Sequence, residues 1–336
     1  MSDMISLSLE DAQALAIKAL CANKTSEANA TSVARALVAA EADGQSGHGL
    51  ARLSSYTAQA RIGKVDGHAI PEVEDIGSSS LRVDGGLGFA YPAIDLAIKH
   101  IIPRAKEHGI TIAVLHRSHH FGQAGAHVER LAEQGLIGLT LGNTPQAMAF
   151  WGGTKPRLGT NPLAFACPLS EGQAPLVIDL ALSVAARGKI MAAKKQGKAI
   201  PKGWALDADG QPTTDAQAAL SGSMLPIGGA KGAALALMVE ILAAGLSGSH
   251  FGWQASSFLD DKGPAPDVGQ ILIAIDANSL SGGAFPAQIA ELLSAMAEED
   301  GVRLPGTSRL VKREAAARDG LPISRMLYQE IQALIG

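Results

Sequence analysis

The chain has 336 residues, a formal net charge of −4 and no basic run, so neither nucleic acid nor an anionic membrane is an expected partner. Apolar residues make up 47% and charged residues 18%, which excludes disorder and predicts a well-buried protein too long for one hydrophobic core. The longest apolar run, 233–246, contains Glu240 and is too short to span a bilayer; the start lacks a basic segment before an apolar one, and Cys21 and Cys167 lie in apolar surroundings, so a cytoplasmic protein with free thiols is expected.

In chain order, Ser8 with Asp11 three residues on opens a helix running to about 23. A second helix, 26–42, carries Val33, Leu37, Val38 and Ala40 at helical spacing and ends at Asp43-Gly44. His48 and Arg52 follow, four apart. If a helix begins near Gly49 they share a face, either as a grip for a carboxylate or as solvated polar groups at a helix start. The helix continues over 56–63, 81–86 reads as strand and turn, 92–106 as a long helix and 110–115 as a strand. His116, His119, His120 and His127 then crowd together, but no Cys or carboxylate completes a ligand set, so no metal is expected.

Strands over 136–141, 163–167 and 176–180 come next. The last ends in Asp179, which either hydrogen-bonds a ligand or caps the next turn. A basic helix, 187–196, and a turn-rich segment, 209–215, lead to a helix over 216–220. Gly228-Gly229-Ala230-Lys231-Gly232 opens the most apolar helix; a lysine there suits a phosphate, although no Walker A loop is present. The Gly/Pro/Asp-rich loop 248–269 is of the kind that covers a site or meets a partner subunit. A strand over 271–275 and helices over 287–299 and 322–335 complete the chain.

Five motifs stand in one order: Ser118-His119-His120-Phe121-Gly122, Leu158-Gly159-Thr160-Asn161-Pro162, Ala186-Arg187-Gly188-Lys189-Ile190, Ile200-Pro201-Lys202-Gly203-Trp204 and Gly229-Ala230-Lys231-Gly232. Together they resemble the type-2 malate/L-lactate dehydrogenase family, NAD(P)H-dependent oxidoreductases unrelated to the common lactate and malate dehydrogenases, over about 9–318. The resemblance implies an α/β, non-Rossmann, two-lobed fold. A mixed, largely antiparallel sheet would form the NAD(P)-binding lobe, 116–286, and helices the substrate and dimerisation lobe, 1–115 with 287–336, in a homodimer. No Gly-x-Gly-x-x-Gly is available to bind a dinucleotide in the Rossmann manner.

By the same resemblance His48 is the proton donor, Arg52 anchors the substrate carboxylate, and Thr160, Ser183 and Val184 approach the substrate. Cofactor contacts fall on His120, Phe121, Gly122, Gln123 and Ala124, on Ile178, Asp179 and Leu180, on Ala230 and Lys231, and on Arg303, Leu304, Pro305, Gly306, Thr307, Ser308 and Arg309. Arg303, Arg309 and Lys231 favour NADPH, with NADH the alternative; the two arginines could instead bind the diphosphate or make internal ion pairs. Two departures are visible. Gly47 stands where the family has Ser, with Ser46 one place earlier, and Lys189 stands where cyclic-imine reductases place a relay Asp. A Lys189 close to His48 would lower the imidazole pKa. Residues 118–121 and 303–306 look most like Δ1-pyrroline-2-carboxylate/Δ1-piperideine-2-carboxylate reductases, and 186–189 and 200–204 equally like malate or L-lactate members. The expected activity is NADPH-dependent reduction of a cyclic imine carboxylate to L-proline or L-pipecolate. A 2-hydroxy-acid dehydrogenase is the alternative, and an inactive nucleotide-binding homologue the second.

Overall fold

The computed structural model describes residues 4–336. A short strand, β1 (Met4–Leu7), precedes α1 (Leu9–Cys21) and α2 (Glu27–Ala42). Both helices begin where serines predict: Ser8 Oγ accepts from the Asp11 N–H at 3.0 Å and Ser26 Oγ from that of Asn29 at 3.3 Å. Two single 3-10 turns, Ser46–His48 and Leu50–Arg52, lead into α3 (Leu53–Ile62), which stops at Gly63. Then follow β2 (Glu72–Gly77), β3 (Ser80–Asp84), α4 (Ala90–His108), β4 (Ile110–Ser118), α5 (Ala124–Ala132) and β5 (Ile137–Gly142). Shorter elements come next: β6 (Met148–Ala149), β7 (Pro156–Leu158), β8 (Leu163–Cys167), β9 (Leu176–Leu180), α6 (Arg187–Lys195), β10 (Ala205–Leu206), β11 (Pro212–Thr213), α7 (Ala216–Ser221) and β12 (Ser223–Met224). The chain finishes with α8 (Ala230–Glu240), which runs on as a π turn over Ile241–Gly245, then β13 (Val268–Ile275), α9 (Ala277–Leu280), α10 (Phe285–Ala297), α11 (Thr307–Asp319), β14 (Leu321–Ser324) and α12 (Arg325–Ala333).

The main sheet has seven strands in the order β2-β3-β4-β13-β5-β8-β9. Every neighbouring pair is antiparallel except β3 with β4, joined by the α4 crossover. One face is covered by α4 and α5 through Ile94, Ile101, Val128 and Leu131. The other meets α8 and a five-stranded sheet, β11-β10-β12-β6-β7, through Leu141, Ile271, Ala236 and Val239. A third core is helical: α1, α2, α3 and α12 close around Leu20, Leu37, Leu53 and Ile331. Chain ends meet there, because β14 pairs with β1.

Two sequence expectations need correction. The boundary after residue 115 cuts the main sheet, since β2, β3 and most of β4 lie before it. The alternating pattern of β3 (Leu81 and Val83 buried, Arg82 facing outward) carries the chain into the sheet earlier than the helical count suggests. The end helix does not begin at Pro322, which lies in β14 opposite Ser6; the helix starts at Arg325, where Ser324 caps the Leu327 N–H.

Charges tie the layers together. Asp95 on α4 accepts from Ser32 and Arg35 of α2 and from Arg130 of α5, at 2.6, 2.6 and 2.7 Å. Deeper, Asp43 at the end of α2 and Glu129 of α5 share Arg309 and Arg313 of α11. Arg309 meets Glu129 at 2.5 Å and Arg313 spans both carboxylates at 2.8–2.9 Å. Burial alone would raise the Glu129 carboxyl, yet the two guanidinium groups hold it below the usual carboxylate range.

Removing Glu129 takes from the buried Arg309 its close carboxylate and leaves it only Asp43 at 3.5 Å. Glu129→Ala is expected to cost about 3–5 kcal/mol in urea-induced unfolding. A loss under about 1 kcal/mol would mean that the cluster behaves as a surface pair.

Candidate active site

The turn Gln45–Gly49 leaves α2 beside the buried charge cluster and turns His48 inward. His48 and Arg52 do not share a face of one regular helix, because each ends its own 3-10 turn. Their coupling is electrostatic, since the Arg52 cation acts on the imidazole. Arg52 Nε donates to the Gly47 carbonyl at 2.6 Å, which aims the guanidinium, and among the described residues its Nη atoms have no protein partner. The His48 ring stacks on His120 with centroids 5.3 Å apart and planes 16° from parallel. Its Nδ1 is buried with no hydrogen-bond partner among the described residues.

Burial and then the Arg52 cation push the His48 pKa down to about 4. Lys189 is not among the causes, so the expectation of a lysine effect is replaced by one from Arg52. His119 falls to about 3 and His127 to about 4, and His120 lies well below its ordinary value, burial being the first cause for each. The histidines are separately engaged rather than converging: His119 Nε2 meets Gln59 Oε1 at 2.9 Å, His120 Nδ1 meets the Tyr56 hydroxyl at 2.5 Å, and His127 Nε2 meets the Phe121 carbonyl at 2.7 Å.

α3 therefore serves the site more than its sequence announces. Tyr56 and Gln59 are fully buried beneath the histidines, and Gln59 Nε2 also donates to the Phe258 carbonyl at 2.9 Å. Just past the helix, Lys64 Nζ donates to the carbonyls of Ser257, Asp260 and Lys262 at 2.6–3.0 Å. This pins the loop between the π turn and β13, and it sets Phe258 5.1 Å from His119 and 5.2 Å from His120. The loop thus lies over His119 and His120.

From His120 the chain runs into the proposed cofactor segments. The Gly122 φ of +69° and the Tyr91 hydroxyl, 2.5 Å from where a Cβ would sit, both require glycine there. Asp179 on the edge strand β9 accepts from the Gly125 N–H at 2.8 Å, so it caps α5 rather than the turn that follows it. Gly306, at φ +84°, starts α11 against the same strand, its absent Cβ 3.2 Å from the Val177 carbonyl. His120 to Ala124, Ile178 to Leu180 and Gly306 to Arg309 are thus one neighbourhood. Arg309 is not a free cation: it is engaged with Glu129 and Asp43, although its Nη2 is buried without a partner among the described residues. Arg303 makes no ion pair among the described residues.

β9 continues into a second neighbourhood. Leu182 N–H donates to the Thr160 carbonyl and Val184 N–H to that of Leu225, at 2.8 and 2.9 Å, while Ser183 pairs with Pro226. Ala230 and Lys231 open α8 a few residues beyond. Beneath Thr160 lies Glu240, 2% exposed, accepting from Asn161 Nδ2 at 2.7 Å, Asn143 Nδ2 at 3.3 Å and the Gly252 N–H at 2.6 Å. Burial raises its carboxyl despite these donors. No hydrogen bond or ring contact among the described residues joins His48 or Arg52 directly to Thr160, Ser183 or Val184. Glu240, Tyr56, Gln59, Lys64 and Phe258 carry no motif; the one signal was a lone carboxylate inside an apolar run.

The family signature described as malate/L-lactate dehydrogenase matches residues 7–332. A (2R)-3-sulfolactate dehydrogenase (NADP(+)) of Chromohalobacter salexigens is 51% identical, over 99% of this chain and 98% of that protein. A Δ1-pyrroline-2-carboxylate/Δ1-piperideine-2-carboxylate reductase of Pseudomonas aeruginosa is 40% identical, over 99% of this chain and 100% of that one. The crystal structure of Δ1-piperideine-2-carboxylate reductase from Pseudomonas syringae pv. tomato superposes with a TM-score of 0.93 at 35% identity, covering 98% of this chain and 99% of that one.

Three buried histidines and the partly buried His48, all held neutral, set an acid limit on stability. Each binds its proton in the unfolded chain near pH 6.5 and in the folded protein only well below it, His48 and His127 at about 4. Their contribution is complete above pH 6.5 and drains as pH falls toward 4, at about 1.4 kcal/mol per unit for each. Melting temperature should be flat from pH 7 to 8 and drop steeply between 6 and 4. A flat profile through pH 5 would contradict the neutral cluster.

Proposed function

The chain belongs to the malate/L-lactate dehydrogenase family and is an oxidoreductase, and on that premise we propose that it is an NADP-dependent dehydrogenase of a short 2-hydroxy acid bearing a second acidic group, with 3-sulfolactate and its 2-oxo partner as the substrate pair. The observation that carries this reading is the 51% identity, over 99% of this chain, to a (2R)-3-sulfolactate dehydrogenase (NADP(+)). Arg52, whose Nη atoms have no partner among the described residues, suits the carboxylate of such a substrate. The cyclic-imine reading keeps the support of the 40% relative and residues 118–121.

The residues suit an anionic dinucleotide. Gly306 opens α11 without a side-chain cap, so the first amides of that helix are unused, and the buried Arg309 Nη2 lacks an acceptor beside it. Thr307, Ser308 and Arg309 would hold phosphate, and His120 to Ala124 with Ile178 to Leu180 would line the rest. When bound, the nicotinamide supplies or accepts the hydride. The protein's own part is orientation and proton movement. Arg52 grips the carboxylate through its free fork. In the free protein His48 is neutral, fit to take the proton from a hydroxyl. Burial is the larger cause of the low His48 pKa and the Arg52 cation the smaller; a carboxylate on Arg52 would offset the second and so favour the protonated ring that reduction needs.

A homodimer belongs to the same proposal. α8 and the π turn after it leave Leu237, Met238 and Ile241 more than a third exposed, and α10 buries none of its residues. Light scattering should report twice the chain mass, and a monomer at micromolar concentration would remove this part.

With NADPH, kcat/KM should be highest for 3-sulfopyruvate, ahead of oxaloacetate, pyruvate and Δ1-pyrroline-2-carboxylate. A tenfold preference for the cyclic imine would overturn the reading. Arg52→Lys should raise KM for the oxo acid by tenfold or more, because a point charge replaces a fork, and leave NADPH affinity unchanged.

A further inference from the structure

Three side chains under the site form an ordered hydrogen-bond chain that no catalytic role yet uses. Tyr91 and Tyr56 join hydroxyl to hydroxyl at 3.0 Å, and Tyr56 meets His120 Nδ1 at 2.5 Å. All three side chains are buried, Tyr56 completely. Of the two His120 nitrogens, only Nε2 is neither hydrogen-bonded nor closed off from open space.

The direction of the chain follows from counting donors. Each phenol has one hydrogen to give, and a neutral imidazole has one donor and one acceptor nitrogen. If His120 Nδ1–H donated to Tyr56, then Tyr56 would donate to Tyr91, and the Tyr91 hydrogen would have no acceptor among the described residues. A buried hydroxyl hydrogen left unmade is costly. If instead Tyr91 donates to Tyr56 and Tyr56 to Nδ1, every inner group is satisfied and the only free valence is Nε2–H. Phenol ionisation does not blur this, since burial pushes the Tyr56 hydroxyl up to about 12 and Tyr91 well above its ordinary value.

We propose that Tyr56, oriented by Tyr91, is a positioning residue that locks His120 in the Nε2–H tautomer, so that this ring donates a hydrogen bond to an acceptor oxygen of the bound ligand beside His48. A neutral imidazole can polarise such an oxygen. Its fixed donor also divides labour with the stacked partner: His48 exchanges the proton, and His120 supplies a hydrogen bond that never leaves. The orienting role that Gly47 and Lys189 cannot perform for His48 is thus performed here for the neighbouring ring.

The rate arm of the test rests on the oxidoreductase reading; the spectroscopic arm does not. In the full-length protein without cofactor, the ring nitrogens of His120, assigned by loss of its signals in His120→Gln, should show a pyridine-like Nδ1 and a pyrrole-like Nε2. Tyr56→Phe should mix or invert that pattern, and Tyr91→Phe should shift it part of the way. Tyr56→Phe should also lower kcat by roughly ten- to a hundredfold, the range seen when the partner that fixes a metal-site histidine is removed, with KM for the oxo acid moved less than twofold because Arg52 is untouched. A pyrrole-like Nδ1 in the wild type, or an unmoved tautomer in both variants, overturns the inference. So does an unchanged kcat in a Tyr56→Phe protein whose tautomer has moved. A wild type that is silent toward every substrate defeats the functional reading instead, and the ring-nitrogen pattern still decides this one.

Discussion

The buried meeting of Asp43, Glu129, Arg309 and Arg313 is the constraint from which the site follows. Asp43 ends α2 immediately before the turn that carries His48, Glu129 sits on the helix that starts at the His120 segment, and the two arginines belong to the helix that Gly306 opens on β9. Gln123 adds a further hydrogen bond to Asp43 at 2.8 Å. Ions inside a protein tolerate little misplacement, because any carboxylate that drifts from its guanidinium loses attraction and keeps its desolvation cost. Three segments distant in sequence are thereby held to one geometry. An apolar contact of equal area would hold them with less positional demand.

Polar satisfaction, more than apolar packing, then shapes the site itself. Glu240 collects donors from three separate segments, and Gln59 links a histidine to the covering loop through both ends of its amide. Such networks have few alternative solutions, since each swapped partner leaves a buried donor or acceptor unmade. Low dielectric surroundings around the histidines follow from the same burial. They keep the rings neutral and strengthen each remaining hydrogen bond.

Much of this was legible in the sequence and some was not, for physical reasons. Serine caps at 8 and 26, and apolar periodicity in α2 and α4, are local signals, and those helices lie where the sequence places them. The pairing of His48 with Arg52 was readable by spacing, though the 3-10 turns were not, because glycines at 47 and 49 permit many conformations. β1 and β14 escaped notice since each is four residues long and is stabilised by the other from the opposite end of the chain. Arg309 could be read as a phosphate ligand or as an internal ion; the deciding partners, Glu129 and Asp43, are 180 and 266 residues away. Tyr56, Gln59 and Lys64 are ordinary in any short window, and their roles arise only when α3 slides under the histidines.

The grip of Lys64 on the covering loop has a consequence for how this enzyme can change over generations. Its ammonium is held by three main-chain carbonyls, at Ser257, Asp260 and Lys262. Every amino acid carries that carbonyl, so substitutions in the loop leave the anchor intact. The segment lying over His119 and His120 can therefore exchange its side chains without coming loose.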